Sequence, residues 1–300
     1  MSICDILPKR NIFRRIFTVS KVHQFNITLI ALITLLAFHS FTLNFLVFSL
    51  IAALTLVNNA RSIWRYTRLS PVECPSIASK DELHIIALNV RQRNEEYQRT
   101  VSLLKEQDPD LIALTETNNS WIDNLEELNT KYPYRLTHPL ENTYGMALFS
   151  KFPILEERID HAVKEDVPSF RTIIRSHQGE FVLYLMHPEP PISIRRLKEK
   201  DLEVILVAEK IKDETLPIII CGDLNDVGWS YASRHLCQET GLMDPRIGRG
   251  FFNTYNAHVP FFRYPIDHFF VDNEFAVKEL SVLPPCGSDH LPVSLKFSFG

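Results

Sequence analysis

The 300-residue sequence predicts an α/β (α+β) protein of mixed β-sheets flanked by helices, preceded by an N-terminal transmembrane helical hairpin. Three observations carry that expectation. Residues 22–60 contain no Lys, Arg, Asp or Glu and are rich in Leu, Ile, Phe, Ala and Val. Further on, Leu83–Asn89, a helical pattern and Leu111–Thr115 read as strand, helix, strand, an α/β signature. After them come many short β-branched and aromatic runs with few long helical patterns, which favours mixed sheets over a doubly wound Rossmann core.

The uncharged run justifies the hairpin. As one helix its 39 residues would reach about 58 Å, nearly twice the roughly 30 Å of bilayer hydrocarbon. Two spans fit better, with a turn near His39, Ser40, Thr42 and Asn44. The run is too long for a signal peptide and lacks a clear cleavage site. Residues 1–21 form a basic leader, with Lys9-Arg10 and Arg14-Arg15 placed to meet anionic headgroups. Arg61, Trp64, Arg65, Tyr66 and Arg68 supply the cations and aromatics expected where a span leaves the bilayer, so 22–68 is read as the hairpin. Both flanks being basic, the positive-inside rule puts the remainder in the cytoplasm, and the composition points to a multi-pass bacterial inner-membrane protein.

Residues 69–80, with Pro71, Pro75 and small polar residues, read as a linker, and 81–300 as the soluble domain. Residues 1–79 hold eight of the 32 basic residues and only Asp5 and Glu73 of the 36 acidic ones. The remainder keeps 24 basic and 34 acidic residues, a net of about −10. Such a domain is poorly suited to a long phosphate polymer, whose binding depends on Lys and Arg. The five cysteines are scattered with no CxxC spacing, so neither a disulfide framework nor a zinc site is indicated.

In chain order, a helix is expected at Asn94–Gln107, stopped by Asp108-Pro109-Asp110. Strands are expected at Met146–Phe149, Arg171–Arg175, Phe181–Met186, Pro217–Cys221, His268–Val271 and Val293–Phe297. Helices fit Trp121–Leu128, Ile194–Ile211 and Trp229–Glu239. GxGxxG, GxxxxGK and GxSxG are all missing, so a nucleotide cradle or a nucleophile elbow has no support.

The chemistry sits where strands end. Asn89, Glu116, His187, Asp223 with Asn225, and Asp289-His290 each follow or precede an apolar run. Hard oxygen donors in this number, without clustered sulfur or imidazole, suit Mg²⁺ or Mn²⁺ rather than zinc. Each residue taken singly also serves as an ordinary cap or turn residue.

Taken in order, the motifs resemble the endonuclease/exonuclease/phosphatase (DNase I-like) superfamily over roughly residues 81–300. The series is Leu88-Asn89, Thr115-Glu116, the run from Tyr144 to Lys151, His187-Pro188, Gly222-Asp223-Leu224-Asn225, Ile266-Asp267-His268 and Ser288-Asp289-His290-Leu291-Pro292. The resemblance implies a four-layered sandwich of two packed sheets between helices. It implies a metal held by Glu116 with Asn89 and Asp289, water handled by Asp223 and phosphate held by Asn225. His290 stands beside the scissile phosphate, oriented by Asp267, and His187 donates to a nonbridging or leaving oxygen. Two positions depart from the pattern. Thr115 stands where many members have Gln, and its hydroxyl is expected to hydrogen-bond there. Asp226 adds an acid after Asn225, expected to cap the helix at Trp229–Glu239.

The leading expectation is a membrane-anchored, divalent-metal-dependent phosphatase or phosphodiesterase acting on a small or lipid-linked phosphate. Alternatives are a nuclease acting on short nucleic acid and a catalytically silent membrane scaffold. The aromatic stretch Phe251–Tyr255 and Pro260–Pro265, just before Asp267, either walls the site for an acyl or prenyl chain or fills the core between the sheets.

Overall fold

A computed structural model describes residues 12–38, 42–76 and 81–300. Eleven strands make two sheets, and in both the apolar strands run through the middle. The first sheet orders β10 (Phe275–Val282), β11 (Val293–Phe299), β1 (Leu83–Asn89), β2 (Leu111–Thr115), β4 (Met146–Ser150) and β3 (Tyr134–His138). The second orders β5 (Ile154–Asp160), β6 (Ser169–Arg175), β7 (Glu180–Met186), β8 (Ile218–Asp223) and β9 (Asp267–Val271). Each sheet is mixed, with one parallel pair, β1/β2 and β7/β8 respectively.

The two sheets pack face to face through Leu83, Ile85, Leu183, Ile219, Phe269 and Phe297, all essentially without solvent contact. On the outer face of the first, α4 (Tyr97–Gln107) and α5 (Asn119–Asn124) bury Val101, Leu104 and Trp121. On the outer face of the second, α6 (Ile194–Ile211) and α7 (Tyr231–Thr240) bury Val204, Val207 and Leu236. The result is helices, sheet, sheet, helices, the four layers the motif series implied.

Three strands were missed in the sequence: β3, β5 and β10. All three are sheet edges. An edge strand is paired on one side only and turns much of its surface to water, so it lacks the continuous apolar run that marks a central strand. β5, with the sequence ILEERID, is exposed along most of its length.

Ahead of the sandwich stand α1 (Ile12–Val19), α2 (Lys21–Phe38) and α3 (Leu43–Ile63). α2 and α3 pack against each other, and Lys21 Nζ donates to Ser62 Oγ at their base. The centre of the expected turn, residues 39–41, lies outside the described residues; Thr42 N-caps α3, its hydroxyl accepting from Phe45 N at 3.2 Å. The two helices are unequal as candidate spans. Leu43–Tyr66, 24 residues, is long and apolar enough to cross a membrane by length and composition, whereas the apolar part of α2, Lys21–Ala37, is shorter than a span requires. The described part of the predicted linker packs against the sandwich. Cys74 is buried in the inter-sheet core and Glu73 pairs with Arg65 at 2.6 Å while accepting from Asp244 N at 3.0 Å.

α6 buries one uncompensated carboxyl. Glu203 is 4% exposed, and burial, reinforced by Glu189 and opposed by Lys200 and Lys164, pushes it up to about 8 from an ordinary 4.5. Because the folded state holds this proton more tightly than the unfolded one, its contribution is full below about pH 4.5 and is lost as pH rises through 8. Each pH unit in that window costs at most ~1.4 kcal/mol. Glu203→Gln is therefore expected to melt higher than the parent at pH 8.5 and nearly level with it at pH 5. An identical melting difference at the two pH values would contradict this assignment.

Candidate active site

The predicted site residues come together at one end of the sandwich, where the strands of both sheets leave the core. β1 and β2 run parallel with Asn89 opposite Thr115, so Asn89 and Glu116 emerge side by side. β8 and β9 run antiparallel with Asp223 opposite Asp267. His187 follows β7, the parallel neighbour of β8, and Asp289-His290 precede β11, the antiparallel neighbour of β1.

Local backbone follows from this crowding. Gly222 adopts φ +127°, and a Cβ there would fall 2.1 Å from Met186 O on the adjoining strand, so only glycine lets β7 and β8 close next to Asp223. Arg91, Glu116 and Asn225 hold left-handed φ values of 58°, 62° and 52°. Such strained conformations in non-glycine residues concentrate at functional sites, where surrounding bonds over-determine them.

Those bonds are present. Asn89 Nδ2 donates to Glu116 Oε1 at 2.9 Å and to Asp223 Oδ2 at 3.1 Å, while Asn89 Oδ1 accepts from Arg91 N at 2.9 Å. Glu116 Oε2 accepts from Gln92 N at 3.1 Å. Asp223 Oδ1 accepts from Asn225 N at 2.8 Å, and its Oδ2 lies 3.6 Å from both His187 Nε2 and His290 Nε2. His290 Nδ1 pairs with Asp267 Oδ2 at 2.9 Å. Ser288, given no role in the sequence reading, ties the two sheet ends: its hydroxyl donates to Asn89 O at 2.6 Å and accepts from His290 N at 3.0 Å. Asn225 Nδ2 donates to Pro188 O at 3.1 Å, leaving one amide hydrogen for a ligand.

The electrostatics single out two groups. Burial lifts the Asp223 carboxyl above its ordinary value; His290 pulls it back and Asp267 adds to the rise. Burial opposes charge on His290, but Asp267 and Asp223 outweigh it and lift the imidazole to about 10. A carboxylate with a raised pKa beside an imidazole oriented by another acid is an arrangement for moving a proton.

These groups open on a cavity of about 560 Å³ that also meets Arg15, Arg91, Arg93, Tyr255 and Tyr264. None of the three arginines was expected at the site, and Arg15 was read as part of a leader facing lipid headgroups. Arg91 stands two residues past a strand end and so had a local signal, but Arg15 comes from α1, before the hairpin, and donates to Asn225 O.

Hard oxygen donors for a metal are present. Glu116 and Asp289 line the cavity, and Asn89 bonds directly to Glu116. This set fits a hard cation such as Mg²⁺ or Mn²⁺. Among the described residues the tightest acid-imidazole trio is a different one, Asp223, Asp267 and His290, with ligand atoms within 4.8 Å of one another. Asp267 Oδ2 is already engaged by His290 Nδ1, so that trio is better described as an oriented imidazole facing a carboxylate, and Glu116 is the stronger metal candidate.

Two expectations are corrected. Thr115 Oγ1 is buried and makes no hydrogen bond among the described residues. Asp226 does not cap the following helix; Ser230 does, accepting from Ser233 N at 3.2 Å. Asp226 instead pairs with the fully buried Lys200, which also lies 3.1 Å from Asp201. Burial opposes charge on Asp226, but Lys200 and Arg15 hold its carboxyl below the ordinary value.

Behind Asp226 a buried chain braces the turn that carries Asp223 and Asn225. Arg246 grips Asp244 at 2.6 and 2.9 Å and donates to His268 Nδ1 at 2.7 Å. Arginine only donates, so Nδ1 accepts and the proton rides on Nε2, which donates to Asp226 O at 2.6 Å. Burial and then Arg246 drive His268 well below its ordinary value, which keeps it in that neutral form.

Fold and site together define an α/β sandwich with acids, amides and imidazoles gathered at its strand ends. The chain belongs to the endonuclease/exonuclease/phosphatase family, whose sequence profile matches residues 86–290. Members of that family are hydrolases acting on phosphoesters. Similar solved structures include an endonuclease/exonuclease/phosphatase family protein from Bacteroides thetaiotaomicron, at 20% identity and TM-score 0.61, covering 73% of this chain and 98% of the other. D. rerio TDP2 complexed with a single-strand DNA product aligns at 17% identity and TM-score 0.61, covering 73% and 100%. The human nocturnin catalytic domain with bound sulfate aligns at 15% identity and TM-score 0.60, covering 73% and 95%. Likenesses at this identity establish the fold. No curated protein matches the sequence.

Proposed function

We propose that the chain is a membrane-anchored, divalent-metal-dependent hydrolase that cleaves a phosphoester bond of a small or lipid-linked phosphate by in-line attack of water. The single observation that carries this reading is the convergence of Asn89, Glu116, His187, Asp223, Asn225, Asp289 and His290, from five separate strand ends, on one cavity end, with Asp267 behind His290. Glu116, with Asn89 and Asp289, would hold Mg²⁺ or Mn²⁺, which supplies charge withdrawal from a phosphoryl oxygen. Asp223 orients the water and takes its proton. Asn225 donates to a phosphoryl oxygen. His290, kept in register by Asp267, donates to oxygen that gains charge as the P–O bond breaks, and His187 serves the leaving side. Water contributes hydroxyl to phosphorus and a proton to the departing oxygen, with no covalent enzyme intermediate.

The net charge of about −10 over residues 80–300 disfavours a long nucleic acid, although the TDP2 complex holds single-strand DNA. The leader, the apolar pair α2 and α3, and Arg61, Arg65 and Arg68 support anchoring in a bacterial inner membrane with the catalytic domain on the cytoplasmic side. A reporter fused after Gly300 tests the side, and activity of a periplasm-dependent reporter alone would overturn it.

The decisive assay is hydrolysis of lipid phosphates, diphosphates, nucleotides and DNA by the detergent-solubilised full chain, with Mg²⁺ and with chelator. Metal-dependent release of phosphate or alcohol from any of them is expected; no metal-dependent signal would favour the silent scaffold, and preference for DNA the nuclease. Glu116→Gln is expected to raise the Mn²⁺ concentration for half-maximal binding about 10- to 100-fold, read by titration calorimetry. Unchanged affinity would move the metal away from Glu116.

A further inference from the structure

We infer that the turn Val259–Phe262 is a second membrane contact, which together with the hairpin holds the mouth of the cavity against the bilayer, so that the substrate is a lipid presenting its phosphate at headgroup level. This rests on the proposed hydrolase reading and on the anchoring of α2 and α3.

The turn is unusual for a soluble surface. Phe261 is 90% exposed, Phe262 57% and Val259 44%, three large apolar side chains in four residues at the tip of a 3-10 turn. The neighbouring aromatics of the same stretch are spent differently: Phe251 packs edge-on against Trp229, and Tyr255 and Tyr264 pair backbone to backbone and line the cavity. The stretch therefore both walls the site and projects an apolar tip beyond it.

The tip is joined to the hairpin. His23, in the first turn of α2, sits edge-on to Phe262 at 5.4 Å between ring centroids and against Tyr264 at 5.0 Å. Val19, Val22 and Phe25 pack on the cluster formed by Trp229, Ile266 and Tyr264, and Trp229 Nε1 donates to Thr18 O at 2.6 Å. The base of the hairpin is thus clamped to the rim of the site. One helical turn further, about 6 Å along the axis, Ile27 and then Ile30 begin the outward apolar face, at 64% and 65% exposure. Phe261 and Phe262 lie beside the turn where that face starts, the level at which a bilayer interface places aromatics.

Charge agrees with the occupant. In a domain of net charge about −10, Arg15, Arg91 and Arg93 border the cavity, and Arg15 arrives from α1 immediately ahead of the hairpin. Arg91 Nε lies 3.8 Å from Asp289 Oδ2 and Arg15 donates to Asn225 O, so an anionic headgroup entering the cavity meets cations at the acidic site itself.

The test uses the full chain reconstituted in phosphatidylcholine/phosphatidylglycerol vesicles. Phe261→Ser/Phe262→Ser is expected to lower turnover of vesicle-borne phosphatidic acid about tenfold, no more than the loss of one buried apolar side chain, with turnover of water-soluble p-nitrophenyl phosphate changed less than about twofold. Equal loss on both substrates, or no loss on either, overturns the inference. A second readout needs no activity: Phe261→Trp in vesicles of brominated lipid should show fluorescence quenching beyond that of the parent, and no added quenching overturns the inference. If the parent hydrolyses neither substrate, the proposed function fails and the quenching still decides the membrane contact.

Discussion

Asp223→Asn is expected to lower the rate of phosphoester hydrolysis by about 10²–10⁴-fold while leaving the protein as stable as the parent or more so. The two halves of this result have separate causes. The side chain is 2% exposed and keeps its shape on substitution, but its one oxygen can accept from Asn225 N or from Asn89 Nδ2 and no longer from both, a cost of about 1 kcal/mol set against the relief of burying a charge. What it loses is the capacity to take a proton from water. Burial and the nearby Asp267 both disfavour its charge in the folded state, and removing that charge relieves both, against the lost attraction of His290 and His187. Initial rates at saturating Mg²⁺, measured beside a melting curve, check both halves. A rate within a few-fold of the parent would remove Asp223 from the chemistry, and a collapse in melting temperature would make it a structural acid.

Lys200→Met is expected to cost about 3–5 kcal/mol of stability, the largest effect anticipated away from the cavity. The ammonium is fully buried between Asp226 and Asp201, themselves 5% and 4% exposed, and methionine would remove the buried cation that both carboxylates share. Because Asp226 O also accepts from His268, whose other nitrogen is held by Arg246, the loss reaches the turn that carries Asp223 and Asn225. Adding Asp226→Asn should recover part of the stability, since it withdraws one of the stranded charges yet preserves an oxygen for Val227 N. Denaturant unfolding of the parent, single and double variants measures this. A loss below about 1 kcal/mol in the single variant would mean that solvent reaches the pair.

Much of the site was legible beforehand, and for a physical reason. A strand covered on both faces must be a run of apolar residues, so β1, β2, β7 and β8 announced themselves, and the first polar side chains after such runs have to emerge at a sheet end. Asn89, Glu116, His187 and Asp223 are those residues. Their role as a set depended on the ordered motif series, because each alone has an ordinary turn or cap reading. The misreadings were equally physical. Asp226 followed a turn and preceded a helix, which is how a cap looks locally, but its partner Lys200 lies 26 residues upstream on another element. The Thr115 hydroxyl, expected to hydrogen-bond, is buried and finds no partner among the described residues.

The class of fold, the central strands, the acids, amides and imidazoles at the strand ends and the uncharged run before them are all written in local patterns of polarity, which is why the sequence shows them. The meeting of remote surfaces sets the rest: Arg15 reaches across 210 positions to the Asp223–Asn225 turn, Lys200 answers Asp226, three edge strands complete the sheets, and Phe261 and Phe262 stand clear of the core beside the hairpin. Those features depend on which distant surfaces meet, and a contact between remote residues leaves no mark on the spacing of either one's neighbours.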